Sequence, residues 1–195
     1  MRESKREAAL EAAKQVVQRE GVTALSYESV AAEAGLTKGG LLYHFPSRED
    51  LLLALHEHVA GQWEQCMRDE ADITEVDNTN DDAALSSTAK TAAYVRASQN
   101  PDRAELLLTL EAISDAAARA VWNGVYDRWA APVPPSADDD QAMARFIARL
   151  AADGLWLYES ISERPMSQEI RERLVAEIIA LGDAQRPTSG GPYTP

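Results

Sequence analysis

Cysteine and long hydrophobic runs are almost absent from this sequence of 195 residues. The single cysteine, Cys66, cannot form a disulfide within the chain and cannot alone build a zinc site. No apolar run approaches the roughly 18–20 residues of a membrane-spanning helix, and the charged first residues lead into no apolar segment of a secretory signal. We therefore expect a cytoplasmic protein with no membrane association, no metal and no cofactor.

Patterns that predict β-strands are also lacking, because β-branched residues do not alternate with polar ones over any stretch. Alanine is abundant instead. Apolar residues make up 45% of the chain and charged residues 26%, which is typical of a globular protein. This composition predicts an all-α fold.

Negative charge is concentrated in the later part of the chain, which has a net charge of −13 overall. Residues 1–50 hold 7 Lys and Arg against 8 Asp and Glu, whereas residues 51–195 hold 12 against 24. Affinity for nucleic acid depends on neutralising phosphates, so the acidic part is a poor candidate for binding it. The first 50 residues form a separate electrostatic unit in which DNA binding remains feasible.

Apolar spacing and capping residues predict nine helices. The helical segments are residues 4–20, 27–34, 38–44, 48–71, 83–98, 102–130, 137–162 and 167–182, where 102–130 holds a short helix and a longer one. Polar residues 72–82 are expected to form a loop, and prolines at 132–135 to break the chain. We divide the sequence into a head of residues 1–47, a body of residues 48–183 and a disordered tail of residues 184–195.

Residues 26–44 have the pattern of a helix-turn-helix, with Gly35 at the turn between two short helices. Gly39 is unfavourable in a helix but lets the backbone come close to DNA. The helix that follows Ser47 offers free N–H groups to a phosphate. Polar side chains suited to phosphate contacts cluster here: Thr37, Lys38, Tyr43, His44 and Arg48.

The segment Gly35–Leu51, GLTKGGLLYHFPSREDL, resembles the signature of the tetracycline-repressor (TetR) family of bacterial transcriptional regulators, and the resemblance covers about residues 5–55. It implies a nine-helix, two-domain homodimer, with a head that binds a pseudo-palindromic operator and a body that binds a ligand. Many members carry Tyr where this chain has Leu42, so the aromatic contact falls to Tyr43, and Leu42 is left to pack or to touch a thymine methyl group. The implied DNA-binding residues are Ser26, Thr37, Lys38, Gly39, Leu42, Tyr43, His44 and Arg48.

Residues 25–30, 41–48 and 150–155 further resemble actinobacterial regulators of multidrug-efflux genes. This resemblance implies a bulky aromatic or cationic effector, for which tryptophan offers a large flat face. Ordinary core packing of the same aromatic residues is the alternative, and Glu64, Glu111 and Asp153 are the acidic groups considered as partners of a cation. The predicted ligand-binding residues are Trp63, Met67, Leu110, Ile113, Trp122, Tyr126 and Trp156.

The last two predicted helices carry apolar stripes suited to a four-helix dimer interface. Gly154 lies on the first stripe, where a missing side chain would let two helices approach closely. The predicted interface residues are Ile147, Leu150, Gly154, Leu157, Ile170, Leu174 and Ile178.

Other interpretations remain open at this point. The effector could be a metabolite or an antibiotic intermediate rather than a drug. The chain could also be a helical adaptor with a vestigial DNA-binding head, because residues 1–50 are slightly acidic. An enzyme is disfavoured, because no nucleophile–His, paired-carboxylate or di-metal pattern is found. Cys66 is expected to be a buried, inert thiol on the apolar side of the fourth helix.

Overall fold

The computed structural model describes residues 4–71, 85–99 and 101–183. Within these ranges the fold is all-α and contains nine α-helices and one short 3₁₀ turn, Val22–Ala24. The helices are α1 (Lys5–Glu20), α2 (Tyr27–Ala34), α3 (Lys38–His44), α4 (Arg48–Glu70), α5 (Ser87–Ala97), α6 (Arg103–Glu111), α7 (Ala116–Trp129), α8 (Asp140–Ile161) and α9 (Gln168–Asp183).

Most predicted helix ends lie within a residue or two of those observed, but α8 begins later than predicted. The prediction placed its start at 137, whereas Asp139 is the capping residue and accepts a hydrogen bond from the Ala142 amide at 2.9 Å. The predicted loop at 72–82 and the predicted tail at 184–195 lie outside the described residues. The fifth helix was predicted to start at 83, but the structure begins α5 at Ser87, behind the capping residue Ser86.

In the head, the first three helices pack around a small apolar core. Val17 of α1, Val30 of α2 and Leu41 of α3 are buried together in it. The Tyr27 hydroxyl donates to the Phe45 carbonyl oxygen at 2.6 Å, which ties the start of α2 to the end of α3. These contacts leave the opposite side of α3 free.

Helix α4 runs from the head into the body and is the longest helix of the described chain. Its apolar stripe at every fourth position, Leu51, Leu55, Val59, Trp63 and Met67, is buried as predicted. The helix packs against α1 in the head and against α5 and α7 in the body. One rigid element therefore contacts both parts of the molecule.

Helices α8 and α9 pack against each other and against α5. Gly182 makes the close approach of α9 possible, because a Cβ atom there would lie 3.1 Å from Thr91 Cγ2 and 3.2 Å from Ala148 Cβ. Among the helices described, none has both the length and the apolar character needed to cross a membrane.

Candidate DNA-binding surface and ligand cavity

Two side-chain caps set the geometry of the helix-turn-helix. The Ser26 and Ser29 hydroxyls each accept from the other residue's backbone amide, at 3.1 and 3.0 Å, and so begin α2. Gly35 ends α2 in the left-handed conformation with φ 62°. Thr37 begins α3 by accepting from the Gly40 amide at 3.1 Å. Ser26 and Thr37, both predicted to contact DNA, thus act first as helix caps.

Helix α3 is anchored by its buried Leu41, and the predicted DNA-contact residues Lys38, Gly39, Leu42 and Tyr43 are exposed on the other side. The Tyr43 ring is 84% exposed. The His44 ring is half-buried and packs edge-on against it, with centroids 5.2 Å apart.

A surface cavity of about 520 Å³ adjoins this side of α3. It is lined by Lys5, Gly35, Leu36, Thr37, Gly40, Tyr43 and His44. Lys5 was not among the predicted DNA-binding residues. Its signal in the sequence is a positive charge at the first residue of α1, which the fold places beside the helix-turn-helix. Lys5 is thus a second lysine on the surface that carries Lys38 and Tyr43.

Lys38 does not stand free, because its Nζ lies 2.5 Å from the Glu28 carboxylate of α2. This hydrogen bond holds the pKa of Glu28 below its ordinary value. Both side chains are more than half exposed, and exposed ion pairs of this kind are weak. A phosphate group can therefore compete with Glu28 for Lys38.

Arg48 has a different environment from the one predicted for a phosphate ligand. Its guanidinium donates to the carbonyl oxygens of Leu25 at 2.9 Å and Val22 at 3.2 Å. These bonds fasten the first residue of α4 to the segment between α1 and α2. In this structure Arg48 therefore holds the head onto α4. These two bonds leave other N–H groups of the guanidinium for a phosphate, so the DNA contact expected of Arg48 stays a prediction.

A cavity of about 250 Å³ lies in the body between α4, α5, α6, α7 and α8. It contains three of the predicted ligand residues, Trp63, Tyr126 and Trp156, together with Asp153. Leu157, which was predicted only for the dimer interface, also lines the cavity. The other lining residues were not predicted from the sequence: Tyr94, Ser98, Glu105 and Thr109.

Three aromatic rings form one wall of this cavity. Trp63 packs edge-on against Tyr94, with centroids 5.6 Å apart, and against Tyr126 at 5.5 Å. Trp122 lies 6.3 Å from Trp63 but does not line the cavity. Such edge-on clusters present flat, electron-rich faces to a ligand.

Glu105 supplies a carboxylate to the cavity. It accepts from the Trp156 indole N–H at 3.0 Å, and among the described residues no lysine, arginine or histidine forms an ion pair with it. Burial raises its pKa to about 7, although the Trp156 hydrogen bond opposes this shift. The charge of Lys14 also acts to lower the pKa of Glu105, but in the described part of the chain this carboxyl group forms no ion pair.

Asp153 is the second carboxylate in the cavity, and it has more hydrogen-bonding and charged partners than Glu105. It accepts from the Tyr94 hydroxyl at 2.5 Å and lies 3.8 Å from the Arg149 guanidinium. Burial raises its pKa, although these two partners favour the ionised form. Arg149 in turn lies over the Tyr126 ring at 5.4 Å, so the site has one cation on its rim.

Four of the predicted ligand residues lie elsewhere. Leu110 is 53% exposed, because α6 turns Glu105 and Thr109 toward the cavity and Leu110 away from it. Ile113 lies in the turn after α6 and is 65% exposed. Met67 and Trp122 are buried in the core without lining the cavity. Glu105 and Thr109, a polar pair at spacing i, i+4 among the leucines of α6, were the sequence signal for the side that lines the cavity.

Two of the acidic groups considered for a cation have partners already. The Glu64 carboxylate receives hydrogen bonds from Arg128 at 2.6 Å and from the Trp129 indole at 3.1 Å. Glu111 lies 2.9 Å from Nε2 of the buried His56, whose Nδ1 accepts from Trp122. Of the three, only Asp153 lies in the cavity.

The cavity and the head are adjacent at the start of α6. Asp102, which caps α6, lies 2.8 Å from Lys14 of α1. The Ala104 amide donates to Gln18 of α1 at 2.6 Å. Glu105, the next residue, lines the cavity. Contacts to the head and to the cavity are therefore made within four consecutive residues.

The predicted dimer stripe lies on the surface of the protomer, apart from Ile178, which is buried inside it and is corrected on that ground. Gly154 is exposed, and a Cβ atom added there would meet nothing within 4 Å. Leu157 belongs both to this stripe and to the cavity wall. The large hydrophobic residues exposed on the two helices are Ile147, Leu150, Leu157, Tyr158, Ile161, Ile170, Leu174 and Leu181.

Cys66 is exposed rather than buried, which corrects the prediction. It lies one position before the buried Met67 and so falls on the solvent side of α4. Partial burial and the nearby carboxylates of Glu70 and Asp69 raise the pKa of its thiol. No group of three or more metal-ligating side chains is found among the residues that the structure describes.

Solved structures with the same fold are known. A transcriptional regulator of Pseudomonas aeruginosa PAO1 matches with a TM-score of 0.65 and 18% identity, covering 91% of this chain and 88% of that one. SCO7518 of Streptomyces coelicolor A3(2) matches with a TM-score of 0.61 and 18% identity, covering 92% and 99%. The multidrug binding protein EbrR in complex with ethidium matches with a TM-score of 0.56 and 22% identity, covering 90% and 98%.

Two sequence families match along most of the chain. Residues 9–55 match "Bacterial regulatory proteins, tetR family", and residues 88–183 match "Tetracyclin repressor-like, C-terminal domain". The first match contains the capped helix-turn-helix and the second contains α6 to α9 with most of the cavity wall. The chain therefore belongs to the TetR family of transcriptional regulators, which bind DNA and are not enzymes.

Proposed function

We propose that this regulator is a cytoplasmic homodimeric repressor of a drug-efflux gene, which binds a pseudo-palindromic operator and leaves it when a bulky aromatic cation occupies the body. The observation that carries the proposal is the cavity beside Trp63, which is lined both by aromatic rings and by the Glu105 carboxyl group. Residues 1–47 serve as the DNA-binding head in this scheme, and residues 48–183 as the ligand-binding and dimerisation body.

A cation suits this cavity better than an anion or a neutral apolar compound. A positive group near Glu105 would favour the ionised carboxylate, which burial otherwise disfavours. Stacking on a ring such as Trp63 adds a cation–π contribution of about 2 kcal/mol when the cation is desolvated. The acidic body, with 12 Lys and Arg against 24 Asp and Glu in residues 51–195, raises the local concentration of cations.

The multidrug binding protein EbrR has been solved with ethidium and with malachite green, both aromatic cations. At 21–22% identity the likeness supports a common fold only. These dyes are nevertheless suitable first probes for a cavity of similar chemistry.

The exposed stripe on α8 and α9 supports a homodimer. Large aliphatic residues such as Leu150 and Ile170 are costly to leave in water. A two-fold axis through this stripe would present two copies of α3 to successive turns of the major groove, roughly 34–36 Å apart. This arrangement explains why the operator should be pseudo-palindromic.

Two connections can carry a ligand signal to the head. Helix α4 is tied to the head by Arg48 and reaches the cavity at Trp63, about 22 Å further along at 1.5 Å per residue. The start of α6 contacts α1 through Asp102 and the cavity through Glu105. A ligand that prefers a different arrangement of either helix lowers the DNA affinity by the same factor by which DNA lowers the ligand affinity.

The test titrates ethidium into the DNA-free protein, followed by tryptophan fluorescence, and into the operator complexes of the wild type and of Trp63→Ala. The second comparison is needed because ethidium also intercalates into DNA. We expect quenching in the free wild type, and release of DNA from the wild-type complex at a lower ethidium concentration than from the Trp63→Ala complex. Trp63→Ala should weaken ethidium binding and leave the DNA affinity of the ligand-free protein nearly unchanged. The matched control is Trp129→Phe, because Trp129 is buried outside the cavity.

Three outcomes decide between the candidate functions. Failure to bind any DNA would favour the adaptor hypothesis. DNA binding without an effect of aromatic cations would favour a metabolite or an antibiotic intermediate as the effector. A drug pump encoded beside the gene would support the efflux target, whereas a biosynthetic enzyme would contradict it.

A further inference from the structure

Helix α3 is poor in the side chains that read bases by hydrogen bonding. Its sequence, KGGLLYH, contains no arginine, asparagine or glutamine, the residues that recognise guanine or adenine with two hydrogen bonds. Lys38 is the remaining candidate for guanine, and the structure places its Nζ 2.5 Å from Glu28. A hydrogen-bond code is therefore a weak basis for operator recognition by this helix.

An apolar side chain is exposed at the centre of the same surface. Leu42 is 41% exposed, while its neighbour Leu41 is fully buried and anchors the helix. Leu42 lies one turn after Lys38 and next to Tyr43, so it is placed on the side of α3 that would face the major groove. The C5-methyl group of thymine is the apolar feature that the major groove presents.

The two glycines of α3 differ in a way that supports close contact with DNA. A Cβ atom on Gly40 would lie 3.2 Å from Thr37 Oγ1, so the protein's own packing accounts for this glycine. A Cβ atom on Gly39 would meet nothing within 4 Å. Glycine costs roughly 1 kcal/mol in a helix relative to alanine, and the free protein has no packing reason to keep it at this position. A close approach of DNA to the helix backbone at Gly39 would supply such a reason.

We propose that α3 recognises its operator mainly through thymine methyl groups, with Leu42 packed on a methyl and Gly39 letting the helix backbone approach the base edges. Tyr43, His44 and Lys5 then hold phosphates and set the orientation. This inference rests on the proposed function, because it requires that α3 enters the major groove.

The experiment compares thymine and uracil in the same operator. The operator is first selected from a random-sequence DNA pool with the wild-type protein and then amplified with dTTP or with dUTP. Uracil lacks the methyl group and keeps the phosphates and the hydrogen-bonding edges. The wild type should bind the thymine operator at least about fivefold more tightly, which is the lower end of the cost of a mismatched base pair.

Variants of the protein show which residue is responsible for the preference for thymine over uracil. Leu42→Ala should reduce the thymine-to-uracil ratio to near one, and Leu42→Met should keep most of it. Lys38→Ala, the control, should weaken binding to both operators by the same factor. Gly39→Ala should weaken operator binding about tenfold or more while the melting temperature stays the same or rises.

Equal binding of the wild type to both operators would overturn the inference, and so would a Leu42→Ala variant that keeps the wild-type ratio. A Gly39→Ala variant with full operator affinity would contradict the close approach. If the wild type selects no DNA at all, the proposed function itself fails, which is distinct from equal binding to the two operators.

Discussion

The DNA-binding surface and the ligand cavity use polar groups in opposite ways. In the head, Lys38 and Tyr43 are exposed, and their charges or hydroxyls are available to a partner at little desolvation cost. In the body, Glu105 and Asp153 line the cavity, and partial burial there raises the pKa of each carboxyl group. Under the proposed function, the surface suits a highly charged polymer, and the cavity suits a ligand that brings its own charge. This difference suggests that charge-removing substitutions will have larger effects in the cavity than on the surface.

The largest effect is expected for Glu105→Gln. Losing the carboxylate should lower the affinity for ethidium about 100-fold, because a hydrogen-bonded charge in a buried site is worth about 3 kcal/mol at the upper end. DNA affinity of the ligand-free protein should be unchanged. Glu57→Gln removes the same charge from the exposed side of α4 and serves as the control. Equal ethidium affinity for Glu105→Gln and the wild type would contradict the role of Glu105.

The pH dependence of stability tests the same carboxyl group without a ligand. The pKa of Glu105 is raised from an ordinary 4.5 to about 7 in the folded protein, so between these values the folded state holds a proton that the unfolded state has released. The free energy of unfolding should therefore fall as the pH rises from 4.5 to 7, by at most about 3 kcal/mol. Thermal melts should show that Glu105→Gln is stabilised relative to the wild type at pH 8 and hardly at pH 5. If Glu105→Gln changes the stability equally at pH 5 and at pH 8, burial does not raise the pKa of Glu105.

Arg48→Ala distinguishes a structural arginine from a phosphate ligand. Removing its hydrogen bonds to the Leu25 and Val22 carbonyls should lower the free energy of unfolding by about 2 kcal/mol. If the structural role is the only one, the salt dependence of DNA binding should keep its slope. Lys5→Ala is the comparison, since loss of a phosphate contact there should reduce the slope by about one. A reduced slope for Arg48→Ala would support the original expectation that Arg48 contacts DNA.

The smallest effect is expected at the dimer stripe. Gly154→Leu should weaken dimerisation about tenfold by forcing the paired helices apart, as measured by sedimentation over a range of concentrations. Gly61→Leu is a matched control, because Gly61 is also an exposed helical glycine with nothing within 4 Å of an added Cβ atom. An undisturbed Gly154→Leu dimer would place the interface elsewhere.

Local chemistry in the sequence determined the head almost completely. Ser26 and Thr37 cap the two short helices, Gly35 ends the first of them, and each of these effects acts within a few residues of the chain. For the same reason the buried stripe of α4 could be predicted from its four-residue spacing alone. Membership of the TetR family followed from residues in this local segment.

The tertiary structure alone decided which side chains meet in the cavity. Five successive helices, α4 to α8, contribute residues to it. On α6, Glu105 lines the cavity while Leu110, on another side of the same helix, is exposed. Apolar periodicity shows that a helix has a buried side but not what that side packs against. The role of Arg48 was hidden for a related reason: its partners are backbone carbonyls more than 20 residues away, and a backbone carbonyl is present at every position in the sequence.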